Sequence, residues 1–327
     1  MEQAYAVRFN RIGGPEVLAV EQVVVGAPQA GHVLLRHTAI GLNYIDTYHR
    51  SGLYPVQNLP SGIGLEAAGV IERVGDGVTD LQQGDRVAYA TGPIGAYSQL
   101  RVIPADKLVK IPEGIDDKTA AAMMLKGLTA QYLLRRTYKV QSGDAILIHA
   151  ASGGVGMIMT QWAKHLGAMV IGTVGSPQKA TVAKAHGCDH TILYRIENFA
   201  ARVKDFTKGK GVAVVYDGVG KDTFMGSLDC LSRLGMMVSY GNASGPVPPF
   251  DISILNQKGS LFLSRPSLMG YAATREELVT MAAELFDVVK SGAVKIEINQ
   301  TYKLRDAAQA HRDLESRKTT GCTVILP

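Results

Sequence analysis

The chain has 327 residues, enough for two domains, and its 46% hydrophobic and 19% charged content is that of a globular α/β protein. A formal charge of +5 with no run of five or more Lys/Arg does not imply nucleic-acid binding by its patterning, and an anionic cofactor is a sufficient explanation for part of the excess. No apolar run reaches the roughly 18 residues of a membrane helix, and no charged-then-apolar leader opens the sequence.

Three scattered cysteines, Cys188, Cys230 and Cys322, form neither a C-x-x-C zinc pair nor a disulfide framework. A reducing, cytoplasmic setting is therefore expected.

Residues 1–124 read as β-rich. Ala4 to Phe9, Val20 to Val25 and His32 to Ile40 are β-type runs separated by breakers such as Gly13-Gly14-Pro15 and Ala27-Pro28. Ile63 to Val74 is a further apolar stretch, Gly84-Asp85-Arg86-Val87-Ala88-Tyr89 a turn entering a strand, and Ala96 to Val102 continues the pattern. This spacing predicts a compact, barrel-like all-β domain. Near residue 117 the character changes. Asp117 to Leu134 has a helical pattern, with Ala120, Met123, Met124, Gly127 and Leu128 suggesting one buried face.

From Ala145 onward strands and helices alternate. Ala145 to His149 is an apolar run of strand length, Ala150-Ala151-Ser152-Gly153-Gly154-Val155-Gly156 is a turn, and Met157 to Leu166 reads as a helix. Strand, tight turn and helix in that order let backbone N–H groups and a helix N-terminus receive a pyrophosphate. Ala151, Gly153 and Gly156 occupy the three glycine positions of G-x-G-x-x-G, so the match is imperfect, and a plain structural turn is the alternative. Gly153 would let the main chain approach phosphates, and Gly156 would let the helix lie close to the strand.

Gly167 stops that helix, and Ala168 to Val174 reads as a second buried strand, completing a βαβ unit. An NAD site would place Asp or Glu near the end of this strand for the ribose 2′-hydroxyl. No acidic residue occurs between Asp144 and Asp189, and the loop reads Gly175-Ser176-Pro177-Gln178-Lys179. A small hydroxyl and a cation suit a 2′-phosphate, so the expected cofactor is NADPH. For Lys179 the alternative is a solvated helix residue.

Val212 to Tyr216 is a strand ending at Asp217-Gly218-Val219-Gly220, followed by helical Thr223 to Leu231, strand Gly235 to Tyr240 and a last strand beginning within Gly259 to Phe262. The alternation predicts a parallel, doubly wound sheet. Thr274 to Ser291 and Asp306 to Ser316 read as helices, and Thr323-Val324-Ile325-Leu326 as a strand that packs back on the first domain. The expected division is 1–124 with 266–327 for the first domain and 125–265 for the second.

Several segments in joint order carry a family resemblance. They are Gly41 to Tyr48, Gly52-Leu53-Tyr54-Pro55, Gly84-Asp85-Arg86-Val87, Leu125 to Ala130, Gly143 through Lys164 with Gln161, Ser239-Tyr240-Gly241-Asn242 and Leu255 to Ser260. Over essentially its full length the chain resembles the zinc-independent, zeta-crystallin-type quinone oxidoreductases of the medium-chain dehydrogenase/reductase superfamily. The resemblance implies a GroES-like β-barrel catalytic domain plus a Rossmann domain, an active cleft between them, and a homodimer built by extending the Rossmann sheet.

It further implies that Gly153, Gly154, Val155 and Gly156 line the pyrophosphate. Ser176, Lys179 and Tyr194 would surround the 2′-phosphate, joined by Arg317 from the tail. Asn43, Thr129, Tyr240 and Asn242 would contact the nicotinamide half or its ribose, with Ser152 and Val219 completing the cofactor set.

Zinc relatives place a Cys near the position of Asn43 and a His in a Gly-His-Glu motif, where this chain has Gly64-Leu65-Glu66, so no metal is expected. His37, His49, His149 and His165 are the metal-minded alternatives, and none has ligand spacing with another His or Cys. Without a metal, the protein would work by holding the nicotinamide against an acceptor, and a quinone already accepts hydride. Asn43, Tyr48 and Tyr54 are the candidates for hydrogen bonds to the quinone oxygens, with strand or loop packing the alternative for the two tyrosines. Asp46 is expected to orient, and Lys126 is either a buried ion-pair residue or a cofactor contact. The competing functions are NADPH-dependent enone or enoyl reduction, and an NADPH-binding crystallin-like structural or RNA-binding protein.

Overall fold

The computed structural model describes all 327 residues. In chain order the first elements are β1 (Glu2–Phe9), β2 (Ala19–Val25), β3 (His32–Leu42), α1 (Tyr44–Ser51), β4 (Ser61–Gly62), β5 (Glu66–Val74), β6 (Arg86–Tyr89), β7 (Leu100–Pro104), β8 (Val109–Lys110) and α2 (Asp117–Tyr132). Next come β9 (Ala145–Ile148), α3 (Gly154–His165), β10 (Met169–Val174), α4 (Pro177–Ala185), β11 (His190–Leu193), α5 (Phe199–Phe206), β12 (Val212–Asp217), α6 (Phe224–Cys230) and β13 (Leu231–Ser239). The last are α7 (Ser253–Gln257), β14 (Phe262–Ser264), α8 (Leu268–Tyr271), α9 (Arg275–Lys290), β15 (Ile298–Lys303), α10 (Ala307–Glu315) and β16 (Cys322–Leu326). The chain divides into two compact units: Met1–Lys126 with Ala273–Phe286 and Ile296–Pro327, and Gly127–Ala272 with Asp287–Lys295.

In the first unit a seven-stranded sheet runs β15-β16-β3-β5-β6-β8, with β7 also on β3, and a three-stranded sheet runs β2-β1-β4. The long strand β3 sits at the centre because Val33, Leu35 and Ile40 bury into one core with Ile71, Val87, Tyr89, Tyr97 and Ile103. The C-terminal strand β16 pairs antiparallel with it, Thr323 opposite Leu42 and Ile325 opposite Ile40, so the last residues complete a sheet begun by the first.

The β-rich reading of residues 1–124 passes over α1, so Tyr48 packs from a helix and not from a strand or loop. Asn43 enters the helix in extended conformation, the Asp46 carboxylate accepts from the Asn43 N–H at 2.9 Å, and Gly52 ends it with φ 81°. These cap residues were visible in the sequence, but eight residues that include two tyrosines, Ile45 and Thr47 gave a weak helical signal.

In the second unit six parallel strands run β11-β10-β9-β12-β13-β14. Ile146, Leu147 and Ile148 of β9 are fully buried, as a strand covered on both faces requires. The chain winds outward from β9 to β11, then restarts at β12 on the other side. The strand order therefore reverses between β9 and β12, whose carboxyl ends flank the crevice where open α/β sheets bind ligands.

Candidate active site

The turn after β9 is built to meet an anion. Gly153 is the N-cap residue of α3 and offers no side-chain cap, so the first N–H groups of the helix keep no partner from it. A methyl on Gly156 would overlap the Ala150 carbonyl, which is why glycine there lets α3 lie against β9. A methyl on Gly153 meets only the Ala150 oxygen, at 3.2 Å, so space lies over that residue. Gly154, Val155 and Gly156 form the first helical turn, and Ser152 is buried beside them.

Past β10 the chain reaches Gly175 and Ser176. Ser176 is the N-cap of α4, its hydroxyl accepting from the Lys179 N–H at 3.3 Å, and Lys179 stands half-buried in the first turn. A methyl on Gly175 would lie 3.7 Å from Tyr194 Cε1 and 3.7 Å from Arg195 Nε. The ends of β10 and β11 thus place Tyr194 and Arg195 beside Gly175, the residue before the Ser176 cap; Arg195 was not singled out in the sequence.

Asp217 ends β12 and is fully buried. Its carboxylate accepts from the N–H groups of Val219 (2.8 Å) and Gly220 (3.0 Å), and from the hydroxyls of Thr223 (2.7 Å) and Ser227 (3.0 Å). Four donors compensate its desolvation and lock the turn carrying Val219. Tyr240 and Asn242 follow β13. The Tyr240 N–H donates to the Asp217 carbonyl at 2.9 Å. The Asn242 carboxamide is satisfied when its oxygen accepts from Arg265 Nη2 and its nitrogen donates to the Gly241 carbonyl, each at 2.9 Å. Thr129 is buried on α2.

In the first unit Asn43, Glu66 and Lys126 form a buried cluster. Glu66 Oε2 accepts from Asn43 Nδ2 at 2.6 Å and from Lys126 Nζ at 3.3 Å, while Oε1 accepts from the Leu125 N–H at 2.7 Å. Burial pulls the Lys126 ammonium pKa down, but the Glu66 carboxylate, with Cys322 and Asp46, outweighs it and leaves a net rise. Lys126 is thus an ion-pair residue. Glu66 turns the Asn43 nitrogen toward itself and the carbonyl oxygen away.

A second buried chain meets this cluster at Asn43. Arg50 Nη1 donates to His311 Nδ1 at 2.9 Å, which places the ring proton on Nε2 for the 3.2 Å contact with the Tyr97 hydroxyl. Tyr97 in turn donates to Asp46 Oδ2 at 2.9 Å. Burial drives the Asp46 pKa up to about 7 despite the Asn43 N–H and Tyr97 hydroxyl, and drives that of His311 down to about 3, aided by Arg50. Glu315 receives both Arg50 Nη groups, at 3.1 and 2.6 Å. Tyr48 packs edge-on against Tyr54 with centroids 5.2 Å apart and meets Tyr44 at 5.8 Å, while His49 flanks Tyr54 at 6.0 Å. Arg317 follows α10 in this unit, exposed, with φ 59°.

The other histidines are accounted for locally. His37 is held by the Ser98 carbonyl (2.7 Å) and the Tyr89 hydroxyl (2.9 Å), and His149 by Thr173 (2.8 Å) and Ser227 (2.9 Å). His165 is exposed in the last turn of α3. No group of three His, Cys, Asp or Glu side chains is arranged to hold a metal ion.

Residues 29–113 match the family model described as the alcohol dehydrogenase GroES-like domain, and 154–287 the one described as zinc-binding dehydrogenase. With the reversed parallel sheet and its glycine turn, these define a medium-chain dehydrogenase/reductase: a GroES-like barrel plus a Rossmann sheet. The chain is 55% identical to quinone oxidoreductase of Pseudomonas aeruginosa over 99% of its length and 100% of the relative. It superposes with TM-score 0.98, at 50% identity, on the crystal structure of Escherichia coli quinone oxidoreductase complexed with NADPH, covering 99% and 100% of the two chains. It is also 49% identical to 2-haloacrylate reductase of a Burkholderia species, over 98% of each. The chain belongs to the quinone oxidoreductase family.

Proposed function

We propose that this protein is an NADPH-dependent quinone oxidoreductase, with the first unit as catalytic domain and the second as cofactor domain. What carries the reading is full-length identity of about half to an NADPH-complexed quinone oxidoreductase, on a sheet whose β9 turn presents an uncapped helix N-terminus to an anion. NADPH supplies the hydride. Gly153 to Gly156 and Ser152 hold the pyrophosphate, Ser176, Lys179, Tyr194 and Arg317 bind the 2′-phosphate, and Thr129, Val219, Tyr240 and Asn242 line the nicotinamide half.

Asn43, with its nitrogen committed to Glu66, serves the cofactor through its carbonyl oxygen, accepting from a carboxamide N–H or a ribose hydroxyl. Contact with the reduced quinone oxygen then falls mainly to Tyr48 and Tyr54, whose hydroxyls can donate as negative charge develops. Asp46 orients Asn43 through its backbone N–H.

The free edge of β14, with Phe262 56% and Leu263 39% exposed, suits pairing with a second copy into a homodimer. No helix is long and apolar enough to cross a membrane, and the three cysteines are free and buried, which suits a cytoplasmic location.

A second reading, reduction of an activated C=C bond, is favoured by the similarity to a 2-haloacrylate reductase. Initial rates of NADPH oxidation with quinones, enones and 2-haloacrylate in parallel, with and without a chelator, separate the two. Higher kcat/KM on quinones, unchanged by chelation, supports the proposal; higher kcat/KM on the alkenes replaces it with the second reading.

A further inference from the structure

The end of β11 brings a second cation to the place where α4 presents Lys179. Val174 pairs with Leu193, so the residues just past the two strands, Gly175 and Tyr194-Arg195, face each other across adjacent carboxyl ends. Because Gly175 has no side chain, the Arg195 guanidinium lies close over the backbone there, with Nε 3.7 Å and Cζ 3.9 Å from where a methyl carbon would be. Arg195 is exposed, and Glu197, two residues on, is committed elsewhere: it accepts from the Leu193 N–H at 2.7 Å and pairs with Arg202 at 3.1 Å. The segment between Asp144 and Asp189, which carries Lys179, contains no Asp or Glu.

We infer that Arg195 is a specificity-determining residue that binds the adenosine 2′-phosphate together with Lys179. The inference rests on the NADPH reading above. Arg195 supplies a planar fork of donors suited to two phosphate oxygens, and Lys179 a point charge from the first turn of α4. Tyr194, whose ring shares the Gly175 surface, stands beside Arg195 at the same 2′-phosphate position.

The test is calorimetric titration of the intact protein without acceptor, using NADPH, NADH and 2′,5′-ADP, on wild type, Arg195→Gln, Arg195→Lys and Lys179→Ala. Because Arg195 is exposed, folding is not at stake, and thermal unfolding checks this. Arg195→Gln is expected to weaken NADPH and 2′,5′-ADP about 10- to 100-fold with NADH changed less than about twofold, and Arg195→Lys to recover part of the loss. Equal weakening of NADPH and NADH by Arg195→Gln overturns the inference. So does an unchanged NADPH affinity alongside a selective Lys179→Ala defect, which leaves the 2′-phosphate reading standing. If neither variant discriminates between the two cofactors, the 2′-phosphate reading falls and the inference with it.

Discussion

Replacing Glu66 by Gln tests the buried cluster that orients Asn43. Glu66 is fully buried, and its two oxygens face only donors: the Leu125 N–H on one side, Asn43 Nδ2 and Lys126 Nζ on the other. Glutamine keeps the shape but has one acceptor end and one NH2 end. Whichever way it turns, its NH2 meets a donor, and the Lys126 ammonium loses its counter-charge. One lost charge-assisted hydrogen bond costs about 1.5–3 kcal/mol, and breaking a buried ion pair from one side about 3–5 kcal/mol. These overlap, so Glu66→Gln should lose about 3–5 kcal/mol, a large part of a typical folding free energy.

The pH dependence has a definite sign. In the wild type the Lys126 pKa is raised above 10.5, so its contribution is present at neutral pH and lost only as pH rises through that higher value. Without Glu66, burial dominates and the pKa falls below 10.5. The variant's deficit should then shrink as pH rises from about 7 to about 10, because Lys126 sheds its proton. Urea unfolding across that range reads both quantities, and NADPH titration reads the disorientation of Asn43. A loss below about 1 kcal/mol at pH 7, with no narrowing toward pH 10, refutes the account.

Three other outcomes are expected. Gly153→Val should unfold at nearly the wild-type temperature yet lose NADPH affinity at least about tenfold, whereas Gly156→Val, which drives carbon into the Ala150 carbonyl, should lose about 1–3 kcal/mol of stability; the reverse pattern in calorimetry and titration would show the turn is misread. Asp46, raised by burial to about 7, costs the wild type stability as pH climbs from its unfolded value of 3.8 through 7, so Asp46→Asn should gain on the wild type between pH 5 and 8 in thermal melts, and a constant difference refutes this. Light scattering should find a dimer that Leu263→Asp dissociates; a monomeric wild type rules the β14 interface out.

How much of this was legible depends on how far apart in sequence the partners lie. The β9 turn and its helix could be read directly, because strand, glycine and helix signals are contiguous over Ala145 to Leu166, and the chemistry they imply is made by backbone groups whose positions follow from local conformation. The missing acid after β10 was equally readable, being a single position at the end of a predictable strand. Short elements with mixed signals, α1 and β11 among them, were not.

The amino-acid order by itself determined the two kinds of architecture, the glycine turn, and the cationic character of the loop after β10. Only the tertiary structure decided that Glu66 joins Asn43 to Lys126, that Arg50, His311 and Tyr97 back Asp46, and that Arg195 stands over Gly175. The physical reason is that such contacts form between side chains from different elements, some separated by more than two hundred residues. Sheet register and core packing bring these together, and no local propensity encodes their meeting.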